Sequence, residues 1–516
     1  MKTPCRRFAL FACAFAALTL PLRAASVDLS SATILELQAA LDAGTVTSEK
    51  LMQLYLARIE AYDQKGPKLA SVLVLADDAL AQARALDAER KSKGARSALH
   101  GIPILVKDVF DVAGMPTAGG FKPMADSFPA RDGFVIAKLR EAGAIVFGKL
   151  NQSDWFGVAP RGASTLGGQA RNPYDPSRIP GYSSSGTGAS VAAWFAAAGL
   201  GSDTGGSVQI PSADSNLYGM VATQGAISRT GMIGSSHTFE RGGPMCRSMT
   251  DLAVMLTHMV GFDAEDLTTA RSLGRLPEKA YTEFLQEDAL RGARIGVLRP
   301  MFRSSPEHAE GLRLIAEALE RIKKAGALLV DPVSLDFDLL SALEDTSIAT
   351  LERARMHDWY LSRLPADAPI RSVDEMIAKA GPIVKPAIKQ SAAIVSLDRH
   401  PAYHAGLEQC AMITEALVSL MDRYRLDALV YPYKTLPPDV IGSEAPSTHS
   451  TLASRTGLPA LCAPAGLTGD GLPIGLQFLG RPFSEPVLIA LGYSYEHYTP
   501  ARTAPPTTPP LAGESF

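Results

Sequence analysis

Between Gly181 and Pro211 the chain reads GYSSSGTGASVAAWFAAAGLGSDTGGSVQIP, two Ser/Gly-rich turns on either side of an apolar, Ala-rich stretch. No other segment limits the fold so tightly. The run Ser183-Ser184-Ser185-Gly186 permits tight, unusual turns, because glycine accepts positive φ and serine hydroxyls bond to nearby main chain. In Asp203-Thr204-Gly205-Gly206-Ser207 two glycines precede a serine, so several successive backbone N–H groups can face one small space, which is how an oxyanion hole is built. Val191 to Leu200 is apolar on nearly every side and is expected to form a buried helix between the turns. A plain Ser/Gly loop joining two core elements is the alternative for either run alone; two runs bracketing one buried segment weigh against it.

Other catalytic templates fail on particular letters. The nucleophile elbow G-x-S-x-G breaks at Ser185, which stands where the second glycine belongs, and no Gly-Lys-Ser/Thr tripeptide closes a phosphate-binding loop. His400 and His404 are four apart, as zinc ligands on one helix would be, but Pro401 lies between them and no H-E-x-x-H pattern occurs, so no metal site is expected.

The residues that remain resemble the amidase signature family, and most closely in character its exported bacterial members such as peptide amidases. The resemblance rests on the Gly/Ser turn Gly181 to Gly188, then Asp203, Gly205, Gly206, Ser207, Val208 and Pro211. It also rests on the 24-residue separation of Ser183 and Ser207, and on Ile104-Leu105-Val106-Lys107-Asp108 after Gly101-Ile102-Pro103. It extends from about Leu35 to about His497. It implies a single large α/β domain with a mixed central β-sheet covered by helices on both faces. It also implies roles: Ser207 as nucleophile, Ser183 as a bridging serine behind a cis peptide bond, Lys107 as general base, and the backbone N–H groups of Thr204, Gly205, Gly206 and Ser207 as the oxyanion hole. No residue is assigned to substrate binding, and no cofactor or metal is implied.

A lysine base must be neutral to accept a proton, although its unperturbed pKa is about 10.4, so it has to be buried among dipoles that disfavour the ammonium. Lys107 follows an apolar run, as that requires. Two positions depart from the family pattern: Gln209 stands where Arg is common, losing its charge and fork geometry, and bulky Tyr182 replaces the second glycine of the first turn. Glu240, where the family often has Asp, carries no assignment.

Met1 to Ala24 reads as a secretory signal, with Lys2, Arg6 and Arg7 ahead of the apolar run Phe8 to Leu20 and small residues around Ala24 and Ala25. A membrane anchor is the alternative, but the run is shorter than the ~20 residues that span a bilayer. Expected boundaries are therefore 1–25 for the signal peptide, 26–499 for the amidase domain and 500–516 for a Pro-rich C-terminal tail, loosely ordered by its composition. The protein is expected to be periplasmic or secreted, without a stable membrane anchor after cleavage. Loss of the signal would remove Lys2, Arg6, Arg7 and Arg23 and take the formal net charge from −3 to −7. With that acidic balance and no basic run, nucleic acid is not an expected partner; the partner is a small-molecule or peptide amide substrate. Cys246, Cys410 and Cys462 would stay behind as buried thiols, with one disulfide possible in an oxidising compartment.

Strand and helix signals alternate along the chain. Helices are expected at Leu35 to Tyr62 (broken at Ala43-Gly44-Thr45), Val72 to Arg90 (after a strand), Phe134 to Ala144, Glu307 to Ala325 and Tyr403 to Tyr424. Strands are expected at Gly101 to Lys107, Ile145 to Phe147, Arg294 to Leu298, Asp427 to Pro432 and the two segments Gly457 to Gly466 and Gly471 to Gln477. Ser341 to Ser391 matches no family block; it is either the pocket-shaping segment or an ordinary helical cap. The leading function is an amidase that cleaves a carboxamide C–N bond through an acyl-enzyme and releases ammonia or an amine. Hydrolysis of esters or carbamates by the same triad, or a non-catalytic periplasmic binding protein on the same fold, are the alternatives.

Overall fold

Short apolar runs closed off by glycine or proline become strands here, and the amphipathic stretches between them become helices. The structure, a computed structural model, describes residues 27–155, 159–344, 346, 348–444, 449–500 and 502–516. The expected signal peptide lies outside the described residues.

The strands are β1 (Val72–Leu75), β2 (Pro103–Lys107), β3 (Ile145–Leu150), β4 (Ala163–Ser164), β5 (Gly168–Gln169), β6 (Ala198–Asp203), β7 (Tyr218–Val221), β8 (Arg241–Cys246), β9 (Arg294–Val297), β10 (Leu328–Val330), β11 (Ala428–Lys434), β12 (Ala460–Leu467) and β13 (Pro473–Leu479). Strands β4 and β5 pair alone. The other strands form one 11-stranded sheet in the order β1-β3-β2-β6-β8-β7-β12-β13-β11-β9-β10. The sheet is mixed: β2 runs parallel to β3 and β6, and β9 parallel to β10 and β11, whereas the pairings from β6 through β11 are antiparallel. Every residue of β2, β3, β6, β7, β8, β11 and β13 is buried, so these strands are covered on both faces. The molecule is a single large α/β domain with helices flanking this sheet, as expected.

Most expected elements appear near their expected bounds. The first two helices are Ile34–Asp42 and Ser48–Arg58, the second capped by the Thr47 hydroxyl, and the later ones include Ala79–Lys93, Phe134–Glu141, Ala309–Lys324 and Pro401–Arg423. Two expectations are corrected. The helix expected over Val191 to Leu200 lies earlier, at Ser185–Ala192; residues 193–197 turn, and the last three residues of the apolar run enter β6. The run has no helical periodicity to fix its boundaries, and Trp194, at φ +42, turns the chain out of the helix. Gly199 then lets β6 lie directly under this helix, since a Cβ there would strike Val191 and Thr187.

The C-terminal tail is the other correction, because it is docked rather than loose. Residues 27 and 516 exchange two backbone hydrogen bonds, Val27 N to Phe516 O at 2.8 Å and Phe516 N to Val27 O at 3.0 Å. The Glu514 carboxylate meets the Arg58 guanidinium at 2.8 Å, with both side chains buried. Arg58 also stacks 3.8 Å from the Trp194 ring centroid. A buried guanidinium needs a carboxylate, and the tail supplies it across 456 residues of sequence.

Candidate active site

Parallel neighbours end at the same edge of a sheet, so pairing β2 with β6 brings Lys107, the last residue of one, beside Ser202 and Asp203, the last two of the other. Lys107 is fully buried. Its Nζ donates to Ser183 Oγ at 2.5 Å and to Ser202 Oγ at 3.0 Å, and lies 5.5 Å from the Trp155 ring centroid. Burial drives its pKa down to about 7, against the opposing pull of the Glu240 and Asp203 carboxylates. Burial thus brings the neutral amine, the form that can accept a proton, within reach near physiological pH.

Ser183 is delivered by the first turn, immediately before the helix Ser185–Ala192. The Tyr182–Ser183 peptide, expected to be cis, is trans; among the described residues the cis bond joins Asp331 and Pro332. In the trans form the Ser183 carbonyl accepts from Ser153 N (3.3 Å) and the Tyr182 carbonyl from Ser185 N (3.2 Å).

The second turn is organised by Asp203. Its carboxylate accepts from Gly206 N (3.0 Å), Val208 N (3.0 Å), Gln209 Nε2 (3.1 Å) and Ser454 Oγ (2.7 Å), which pins the backbone on both sides of Ser207. Burial acts to raise the Asp203 pKa, but the Arg241 guanidinium opposite it on β8 and these hydrogen bonds outweigh burial and hold it below the ordinary value. Gly206 sits at φ +113, and a Cβ there would collide with the Tyr433 hydroxyl. One of the four N–H groups expected in the oxyanion hole is therefore already used, by Gly206 on Asp203. Those of Thr204, Gly205 and Ser207 donate to no described residue. Gln209, in place of the family's Arg, bridges Asp203 and Gln477 by its amide.

The structure brings Lys107 and Ser183 into contact. Ser183 and Ser207 are both partly exposed, and no hydrogen bond joins them among the described residues. Several contributors escape a reading of the sequence alone. Ser202 binds the lysine, Ser454 binds Asp203, and Tyr433 and His449 reach the carbonyls of Gly206 (3.3 Å) and Gly205 (3.2 Å). Tyr182 stands edge-on to His449 with 5.9 Å between centroids, and its hydroxyl donates to Asp439 at 2.7 Å. Of these only Ser202 has a local signal, its position next to Asp203. The rest come from distant segments whose proximity no spacing encodes.

The segment Ser341 to Ser391 is a set of helices, of which Ala349–Leu361 grips the chain before β8. Its Glu352 accepts from the Ser236 and Thr238 hydroxyls, and Tyr360 donates to Asp111 at 2.7 Å. The inner side of that helix thus braces the loop that leads to Glu240. Cys246, Cys410 and Cys462 are buried free thiols. Among the described residues there is no cluster of three or more metal-ligating side chains, and no helix long and apolar enough to cross a membrane. A cavity of about 1130 Å³, lined by Arg247, Arg502 and Tyr218 among others, lies at the far end of the strands from Lys107.

A fully buried lysine thus ends on the hydroxyls of Ser183 and Ser202. The family model described as Amidase matches residues 50–489. This chain belongs to the amidase signature family. It is 35% identical over 502 aligned residues to a Glutamyl-tRNA(Gln) amidotransferase subunit of Myxococcus xanthus, spanning 93% of this chain and 100% of that protein. It is 30% identical to a probable amidase of Arabidopsis thaliana, over 93% of this chain and 92% of that protein. Among solved structures, the native peptide amidase of Stenotrophomonas maltophilia superposes with a TM-score of 0.84 at 35% identity, covering 92% of this chain and 98% of that one. This amidase is accordingly of the hydrolase class that acts on carbon–nitrogen bonds.

Proposed function

We propose that this amidase hydrolyses a carboxamide C–N bond through an acyl-enzyme on Ser207. The observation that carries the reading is the fully buried Lys107 amine, 2.5 Å from the Ser183 hydroxyl. Ser207 Oγ attacks the substrate carbonyl while its proton passes to Ser183 Oγ, whose own proton moves to Lys107 Nζ. Substrate entry draws Ser183 and Ser207 into hydrogen-bond range, since catalytic bonds tighten in the complex. The N–H groups of Thr204, Gly205 and Ser207 receive the oxyanion, and Gly206 contributes by holding the turn. The relay then reverses, protonating the departing ammonia or amine, and water repeats the cycle to release the acid.

For substrate, peptide C-terminal amides or small aryl and alkyl amides fit an exported enzyme. The leader-like stretch Met1 to Ala24 and the acidic balance after its removal support a periplasmic or secreted site of action. Both weigh against the tRNA-linked amide transfer named for the Myxococcus relative. A panel of amides and esters assayed on the mature protein tests bond type. Ser207→Ala should abolish turnover and labelling by a fluorophosphonate, and undiminished turnover in that variant would sink the proposal.

A further inference from the structure

Among the described residues, Glu240 is an acid acting on the lysine that has capacity to spare. It is fully buried, immediately before β8. Its Oε2 accepts from the Thr204 hydroxyl at 2.6 Å and from Ser235 N at 2.8 Å, while Oε1 has no hydrogen-bond partner among the described residues. Thr204 opens the turn that carries Ser207, so the carboxyl grips that turn at its entrance as Asp203 grips it around the serine. Asp203 differs in being fully spent, with four hydrogen bonds and the Arg241 charge.

The charged groups facing Glu240 come from four elements: Lys107 on β2, Asp203 on β6, Arg241 on β8 and Arg353 on the helix Ala349–Leu361. Burial raises the Glu240 pKa, and it is the first of the two carboxylates that act to raise that of Lys107.

We infer that Glu240 is a positioning residue of this active site, fixing the Thr204 turn through its hydroxyl while its second carboxyl oxygen, Oε1, stays unspent. The inference rests on the reading of Lys107 as base and Ser207 as nucleophile. An anion beside an ammonium stabilises it, so removing the carboxylate lowers the pH at which the amine becomes neutral.

Three variants test this against the amide substrate that the panel selects. Glu240→Gln should lower kcat about tenfold with KM little changed, and move the acidic limb of the kcat/KM profile to lower pH. Thr204→Val should reproduce the fall in kcat without the shift of the limb. Glu240→Asp should restore the limb towards its original position, which a merely structural role would not do. Glu240→Gln with unchanged kcat and an unmoved limb overturns the inference, as does Thr204→Val with the full limb shift. If Glu240→Gln fails to fold by thermal melting, the other two variants decide. Fluorophosphonate labelling of Ser207 is read in parallel: lost labelling of the wild type strikes the hydrolase reading itself, whereas normal labelling with an indifferent Glu240 strikes only this inference.

Discussion

Two fully buried lysines sit one strand apart in this sheet, and their surroundings differ in kind. Lys149, on β3, ends 3.0 Å from the Asp108 carboxylate and also donates to Thr117 Oγ1 (2.9 Å) and the Pro116 carbonyl (3.0 Å). Lys107, on β2, ends on two serine hydroxyls. A contacting carboxylate keeps an ammonium charged and in place, whereas hydroxyls allow the amine to be neutral and can pass protons on. One lysine is braced by an ion pair, and the other ends on groups able to carry a proton. Asp108 is itself committed, accepting from Gly120 N at 2.9 Å and Ala118 N at 3.3 Å, so it organises the loop after β2 as well as the lysine.

The contrast can be broken by exchanging each amine for an apolar chain of similar length. Lys107→Met should leave a folded protein with kcat/KM reduced about 10³-fold or more, the scale of losing an acid–base group, as measured by steady-state kinetics. Lys149→Met should instead lose about 3–5 kcal/mol of stability in urea unfolding, because Asp108 is left buried and unpaired. Adding Asp108→Asn should recover part of that loss. Equal effects of the two single variants on stability would erase the distinction.

Two pH experiments sharpen it. The kcat/KM of the wild type should rise with pH through about 7 as Lys107 loses its proton, and a profile flat across that range would contradict the assignment of the base. The smallest effect is on stability. Native Lys107 sheds its proton near 7, whereas the unfolded chain holds it up to about 10.4, so between those values the unfolded state binds more protons and wild-type stability rises with pH. Lys107→Met lacks this dependence. It should be more stable than wild type by about 1–2 kcal/mol below pH 7, with the advantage shrinking as the pH climbs, as chemical denaturation at pH 6 and pH 9 would show.

Much of this is legible in the sequence. The order of strands and helices follows from periodicity, and Ile104 to Val106 announce a buried position for the residue that follows. What misleads are stretches with no period or with deceptive composition. The apolar run Val191 to Leu200 fits helix or strand equally, and the neighbouring strands β2 and β8 decide in favour of strand for its last three residues. The tail reads as solvent-exposed by its prolines and threonines, yet one glutamate in it answers a buried arginine near the other end of the chain.

By itself the sequence determined which residues are the candidates for the chemistry: two serines 24 apart, two glycines before the second, and a lysine closing an apolar strand. These are local facts, because turn geometry and burial depend on a few adjacent side chains. Only the tertiary structure decided which buried lysine meets a carboxylate and which meets hydroxyls, that the Tyr182–Ser183 bond is trans, and that Glu240 stands over the second turn. Each of those depends on which strands lie side by side, and strand pairing across nearly a hundred residues is settled by the packing of the whole sheet rather than by any window of the chain.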